Sequence, residues 1–268
     1  MAEITPKLVN DLRAKTGQGM MECKKALVEC GGDMDKALDY FRKKGVKASL
    51  SERTATEGRI IGALSADKKT ASLVEVNCNT DFTAKSEPVA KIGLHAANAL
   101  LKNPTGNVSD DAAFKAELTI AAQTTGENVV IGKTAAIASN VQAGLYLYAI
   151  TGKIGVIMSF TGAPDEELIK QLGGHIAFAR PVSLNRDGVP ADLVAKEREI
   201  AVEQAKATGK PQQIAEKIAE GKLNAFFGER VLLDQPFFNG QVFDGTVSKY
   251  LEKNKVTLEK YVRLEVGQ

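Results

Sequence analysis

Cys78, His95 and His175 are the side chains from which nucleophilic or proton-transfer chemistry in this 268-residue chain would have to start, and the two histidines are its only ones. A cysteine beside a histidine can form a thiolate nucleophile, so a thiol-dependent enzyme built on Cys78 is one reading. The spacings that cradle phosphates or hold metals, GxxxxGK[ST], GxGxxG, HExxH and CxxC, are absent. Cys78 closes an apolar run, where cysteine more often serves as a small buried filler. His175 follows Leu168 by seven residues and His95 follows Ile92 by three, which places each beside apolar residues on a helical face. Both read as satisfied, half-buried helix residues. Cys23 and Cys30 flank Leu27 at spacings of four and three and read as core. An odd set of three cysteines favours reduced thiols over a disulfide framework or a metal cage. The sequence therefore predicts no catalytic residue, no metal site and no cofactor.

The segment Asn77-Cys78-Asn79-Thr80-Asp81-Phe82-Thr83-Ala84-Lys85 is of another kind. It follows a strand and precedes a helix, where the chain turns at the surface, and it sets a large aromatic beside a carboxylate. An aromatic on a loop tip can anchor a partner. The same residues also permit a structural role, with Asp81 capping the next turn and Phe82 folded into the core. Composition alone leaves both open.

Charged residues make up 25% and hydrophobic ones 44%, both near the globular average. The formal charge of +2 is spread over mixed signs, which argues against direct nucleic-acid binding and for a protein surface as partner. No apolar run reaches the length of a membrane span, and Met1–Pro6 lacks the pattern of an export signal. A cytoplasmic protein with no membrane partner is expected.

The elements that must carry these residues follow from periodicity. Residues 1–45 predict three short helices, with Pro6 opening the first, Asp33 capping the third and Gly45 ending it. Residues 46–57 read as a linker. Strands are expected at 59–65 and 72–77, then a helix at 88–102, and the unit recurs about eighty residues later as 145–150, 154–160 and 165–179. Strands near 127–137 and 256–266 complete each half. Residues 190–226 predict an inserted antiparallel helical hairpin, broken at Gly209-Lys210-Pro211. Its first helix carries Leu193, Ile200 and Ala207, and its second Ile214, Ile218, Gly221 and Ala225. Such a thin unit must pack on the core or on a second copy, so a homodimer through 190–226 is possible by this reading. The fold class is α+β, with a first core half at 58–140 and a second at 141–189 plus 227–268.

Glu75-Val76-Asn77-Cys78-Asn79-Thr80-Asp81-Phe82 resembles the strand-and-TDF signature of the bacterial elongation factor Ts family. Leu12-Arg13 with Thr16 to Leu27 is similar to that family's N-terminal domain, and Gln235-Pro236-Phe237 and Val262 to Gly267 to its closing segments. The resemblance implies a UBA-like N-terminal bundle and a non-enzymatic guanine-nucleotide exchange factor for the GTPase EF-Tu. It also implies that Arg13, Met20 and Met21 dock on EF-Tu, while Thr80, Asp81, Phe82 and Thr83 reach toward its magnesium and nucleotide site. Three departures stand out. Thr83 replaces a usual valine, this chain has Tyr148 and a locally longer turn where relatives often carry a histidine that touches EF-Tu, and the chain stops at Gln268 without the further helix of some relatives. A docking scaffold without exchange activity is the remaining alternative.

Overall fold

The computed structural model describes residues 4–16, 18–44, 54–108, 111–207, 209 and 211–268. Gly17, Gly45, Lys210 and the linker expected from residue 46 lie outside these, the linker as far as residue 53.

Three helices open the chain: α1 (Pro6–Thr16), α2 (Met20–Glu29) and α3 (Met34–Lys44). Val9, Leu12, Cys23, Ala26, Leu27, Ala37 and Phe41 form their common core. Gly31 and Gly32 take φ of 65° and 84° between α2 and α3, a conformation with little steric penalty only in glycine. Asp33 then caps α3, its carboxylate accepting from the amides of Asp35 at 3.0 Å and Lys36 at 3.1 Å.

The rest is a mixed helix-and-sheet body. Strands β1 (Glu57–Leu64), β2 (Thr70–Cys78) and β3 (Val130–Ala138) make one antiparallel sheet in the order β1-β2-β3. Strands β4 (Gln142–Leu147), β5 (Ile154–Thr161) and β6 (Thr257–Glu265) repeat that order in a second. The sheets stack face to face, sharing a core of Ile60, Ala71, Leu73, Ile137, Ala143, Ile157 and Leu264. Their outer faces are covered by helices, as a sheet with two apolar faces requires. Between β2 and β3 lie α4 (Asp81–Ala84), α5 (Glu87–Lys102) and α6 (Ala112–Thr125); α7 (Glu166–Ala179) follows β5. Phe114 of α6 and Val89, Ile92 and Ala96 of α5 pack with Val74 and Val76 of β2. Leu168, Leu172 and Ile176 of α7 pack with Val156, Met158 and Phe160 of β5.

The repeat extends to the atoms that set helix-to-sheet distance. A Cβ on Gly93 of α5 would lie 2.1 Å from Ile61 of β1, and one on Gly173 of α7 would lie 2.3 Å from Tyr146 of β4. Each glycine lets its helix settle onto the equivalent strand. The strand expected at 145–150 is shifted: β4 pairs only to Leu147, because Tyr148 enters a turn in which its amide donates to Ile154 O at 3.0 Å and Gly152 N donates back to Tyr148 O at 2.9 Å. Helix α6 and the short α10 (Val247–Lys253) are additions the periodicity did not disclose.

Helices α8 (Ala191–Lys206) and α9 (Gln212–Arg230) form the inserted hairpin. Its inner seam differs from the expected stripes. Ala201 and Ala205 of α8 and Ala215, Ala219 and Leu223 of α9 are buried, whereas Ile200, Ala207, Ile214, Gly221 and Ala225 face outward. Small residues let two helices approach closely, and the larger isoleucines are left outside. Leu193 packs at the root, with Val189, Phe227 and Val231.

Candidate functional site

The β2-to-α5 connection is where the fold displays an aromatic side chain. Strand β2 is buried almost throughout, its last residue Cys78 included, and the chain then leaves the sheet through Asn79 and Thr80. Thr80 caps the single turn of α4, its hydroxyl accepting from the Thr83 amide at 3.3 Å. Thr83 and Ala84 turn inward, with Thr83 9% exposed, so α4 is seated on the body by one side. Phe82 lies on its other side at 82% exposure. Of the two roles open to Phe82, the core role is excluded: the ring stands in solvent. Asp81 is also exposed and pairs with Lys85 one turn later at 2.9 Å. The hydrogen bond from Lys85 holds the Asp81 carboxyl below the usual carboxylate range.

This connection is tied down from a distance. One carboxylate oxygen of Glu127 accepts from the backbone amides of Asn79 and Thr80, both at 3.0 Å, and the other accepts from the Thr80 hydroxyl at 2.7 Å. Asn79 in turn accepts from the Asn128 amide at 2.9 Å. Burial pulls the Glu127 carboxyl upward, but the hydrogen bonds from Thr80, Thr83 and Asn79 outweigh it and hold the group below its ordinary value. Sequence reasoning missed Glu127. Nothing in local spacing connects it to a threonine 47 residues earlier.

The thiol chemistry considered for Cys78 finds no support. The side chain is fully buried, and burial, reinforced by the charge of Glu127, pushes its pKa up to about 11. Such a thiol is almost wholly protonated at neutral pH and a poor nucleophile. The histidines belong to other surroundings. His95 is partly exposed, with Nδ1 2.6 Å from Glu117 of α6. His175 is buried more deeply than the half-buried reading, at 1% exposure, with Nε2 2.9 Å from Gln235 and its ring stacked on Phe237. Among the described residues no group of three or more His, Cys, Asp and Glu could hold a metal ion. No helix among them is long and apolar enough to cross a membrane.

The residues expected to dock a partner at the N-terminal end are all exposed: Arg13 near the end of α1, and Met20 and Met21 at the start of α2, the methionines at 53% and 76%. Tyr148, in the β4-to-β5 turn, stacks edge-on with Phe178 at 5.0 Å, next to the exposed Ile150.

An exposed aromatic on a clamped turn is the geometry of a binding element. Comparison with known proteins gives it a family. The family model described as elongation factor TS matches residues 79–268, which begins at this connection. Elongation factor Ts of Methylococcus capsulatus is 39% identical over 275 residues, covering 99% of this chain and 92% of that relative. The same factor from Photorhabdus laumondii is 40% identical over 273 residues, covering 100% of this chain and 94% of the relative. That from Yersinia pestis is 39% identical over 273 residues, covering 100% and 93%. With the family model spanning most of the chain and such relatives spanning nearly all of it, this protein belongs to the elongation factor Ts family of translation factors.

Proposed function

We propose that this protein is a non-enzymatic guanine-nucleotide exchange factor that binds EF-Tu·GDP and speeds GDP release, so that GTP can rebind. The observation that carries the reading is Phe82, held at 82% exposure on a turn whose other face is anchored. An aromatic ring held out on an anchored turn is suited to anchor a partner.

A GTPase holds its nucleotide by phosphate contacts and a magnesium ion bridging phosphate oxygens. In this reading Phe82 wedges between elements of the GTPase domain, while Thr80 and Asp81 approach the magnesium surroundings and disturb them. Thr83 is read with them as part of the element that reaches that site, and its inward turn also supports the loop. Arg13, Met20 and Met21 dock the N-terminal helices, methionine being well suited to a surface that must adapt. By linkage, a factor that weakens GDP binding is itself weakened by GDP in the same ratio, so the returning nucleotide expels it.

The domains are taken as 1–45, 58–140, 141–189 with 227–268, and the insertion 190–226, in a cytoplasmic protein. The outward Ile200 and Ile214 of the insertion are read as a self-association surface. Sedimentation of the intact protein against one lacking 190–226 tests that part, and the same number of copies per particle in both would refute it.

The function itself is tested by release of fluorescent GDP from purified EF-Tu. Acceleration by catalytic amounts of this protein is expected. Binding without acceleration would leave only a docking scaffold, and loss of acceleration on blocking Cys78 in a protein that still melts normally would restore the thiol reading.

A further inference from the structure

We propose that Glu127 is a positioning residue that presets the Phe82 turn for its partner, an inference that rests on the exchange reading above. Four residues are too few for a helix to persist in water, because nucleation is unfavourable and only tertiary contacts offset it. α4 is such a helix, spanning Asp81–Ala84. Something outside it must fix its start, and Glu127 does so with three hydrogen bonds to the two residues that lead into it, Asn79 and the cap Thr80.

The bonds also set a direction. The Thr80 hydroxyl carries one hydrogen, and Glu127, an ionised acceptor, can only receive it. The remaining lone pairs of that oxygen then face the Thr83 amide, which is the cap of α4. The carboxylate therefore sets the hydroxyl, the hydroxyl sets the turn, and the turn sets Phe82. Hydrogen bonds to a charged acceptor are about twice as strong as neutral ones, which suits a single side chain to this task. Glu127 is itself held in place. It follows Gly126, which ends α6 at φ 69°, and α6 is joined to α5 through the Glu117–His95 contact.

Preorganisation of this kind lowers the entropy lost on binding and leaves the bound state's chemistry alone. It therefore acts on the concentration needed for half-maximal exchange, whereas Phe82 acts on the maximal rate. The experiment compares the intact protein, Glu127→Ala and Glu127→Gln in two assays. The first is hydrogen exchange at the Asn79 and Thr80 amides of the protein alone. The second is GDP release from EF-Tu over a range of factor concentrations.

For Glu127→Ala we expect at least about tenfold loss of protection at those two amides, with the sheet amides unchanged. Its half-saturating concentration should rise by about tenfold, equivalent to about 1.4 kcal/mol, with the maximal rate lowered less than about twofold. Glu127→Gln keeps an oxygen able to accept from both amides and an NH2 able to donate to the Thr80 hydroxyl oxygen, whose other lone pair still meets the Thr83 amide, so it should return within about threefold of the intact protein. The proposal is overturned if the half-saturating concentration of Glu127→Ala is unchanged, if Gln is as impaired as Ala, or if Glu127→Ala loses its cooperative melt, which would assign the residue to the fold. Should the intact protein fail to accelerate GDP release, the exchange reading falls by itself, and amide protection still decides whether the clamp exists.

Discussion

The two halves of the core share a plan and differ in what they do with one connection. Each has three antiparallel strands in the same order and a helix seated on them through a glycine, Gly93 in one and Gly173 in the other. In the second half the chain passes from β5 through Gly162 and Pro164 directly into the Asp165 cap of α7. In the first half the equivalent passage contains α4, which holds Phe82 in solvent. The histidines divide in the same way: His95 reaches across the surface to Glu117, while His175 is enclosed by Phe237, Phe238 and Gln235. A duplicated frame can thus retain one copy of a loop for its own packing and free the other for a partner. On the function proposed above the difference separates stability from recognition in space, and mutations should separate them too.

The sharpest contrast is between two phenylalanines near the ends of equivalent strands. Phe160 is fully buried on β5, and Phe160→Ala should lower stability by about 3–5 kcal/mol, read from chemical denaturation. Phe82→Ala should change stability by less than about 0.5 kcal/mol yet slow stimulated GDP release by about tenfold or more, each 1.4 kcal/mol of barrier being about a factor of ten. Comparable destabilisation by the two variants would erase the distinction between the halves.

A finer comparison uses the two glycines. An added methyl on Gly173 meets Tyr146 Cβ at 2.3 Å and Cγ at 2.6 Å, atoms that cannot move without shifting β4. On Gly93 the nearest atom, at 2.1 Å, is Ile61 Cδ1, the far end of a flexible side chain. Gly173→Ala should therefore cost about 1–3 kcal/mol, as overpacking does. Gly93→Ala should cost less, since Ile61 can rotate and alanine raises helix propensity by up to about 1 kcal/mol. The reverse order in thermal melts would mean the second interface is the more yielding.

Much of this frame is legible in the sequence because it is periodic. The N-terminal helices, both strand pairs, the repeated helices and the hairpin all announce themselves by spacing and by Gly, Pro or Asp at their ends. What stayed hidden has physical reasons. In α6 Phe114, Leu118 and Ala121 do share one face, but the exposed Ile120 and the alanines off that face blur the stripe. The hairpin seam is mostly alanines, which pack well because they are small, and attention to larger residues selects Ile200 and Ile214 on the wrong side. The orientation of Phe82 could not be decided from composition, since the outcome depends on Thr83 and Ala84 occupying the inward side of α4. Glu127 acts across the fold, and only the antiparallel pairing of β2 with β3 brings it near Thr80.

His175 provides a pH test of the enclosed half. Burial, opposed only in part by the hydrogen bond to Gln235, lowers its pKa below the ordinary 6.5. Its Nδ1 accepts from the Phe238 amide at 3.2 Å, which the neutral ring permits and the protonated ring does not. As pH falls through about 6.5, the unfolded chain takes up a proton that the folded chain refuses. The contribution is thus present above that value and lost as pH drops toward the folded-state pKa. His175→Gln should flatten this part of the stability profile between pH 5 and 7 in denaturation midpoints, and an unaltered slope would assign it to other groups.

The smallest expected effect on stability, and the most informative for the exposed half, concerns Asp81 and Lys85. Both side chains are more than half exposed, so the pair adds little to the fold and neither variant should shift the melting temperature measurably. Its consequence is electrostatic. Lys85 keeps Asp81 ionised but also occupies it, and a carboxylate shared with an ammonium is less free to interact with a metal ion. Lys85→Ala should raise the Asp81 pKa toward that of an ordinary aspartate, which carbon-detected NMR titration of the protein alone would read. The same variant should leave exchange on EF-Tu within about threefold of the intact protein, because the carboxylate remains and Phe82 is untouched. Asp81→Ala should slow exchange in millimolar magnesium and lose that defect in excess chelator, where no ion is left to disturb. Equal slowing in both media would remove magnesium displacement from the role of Asp81 and leave exchange to Phe82 and the other residues of the turn.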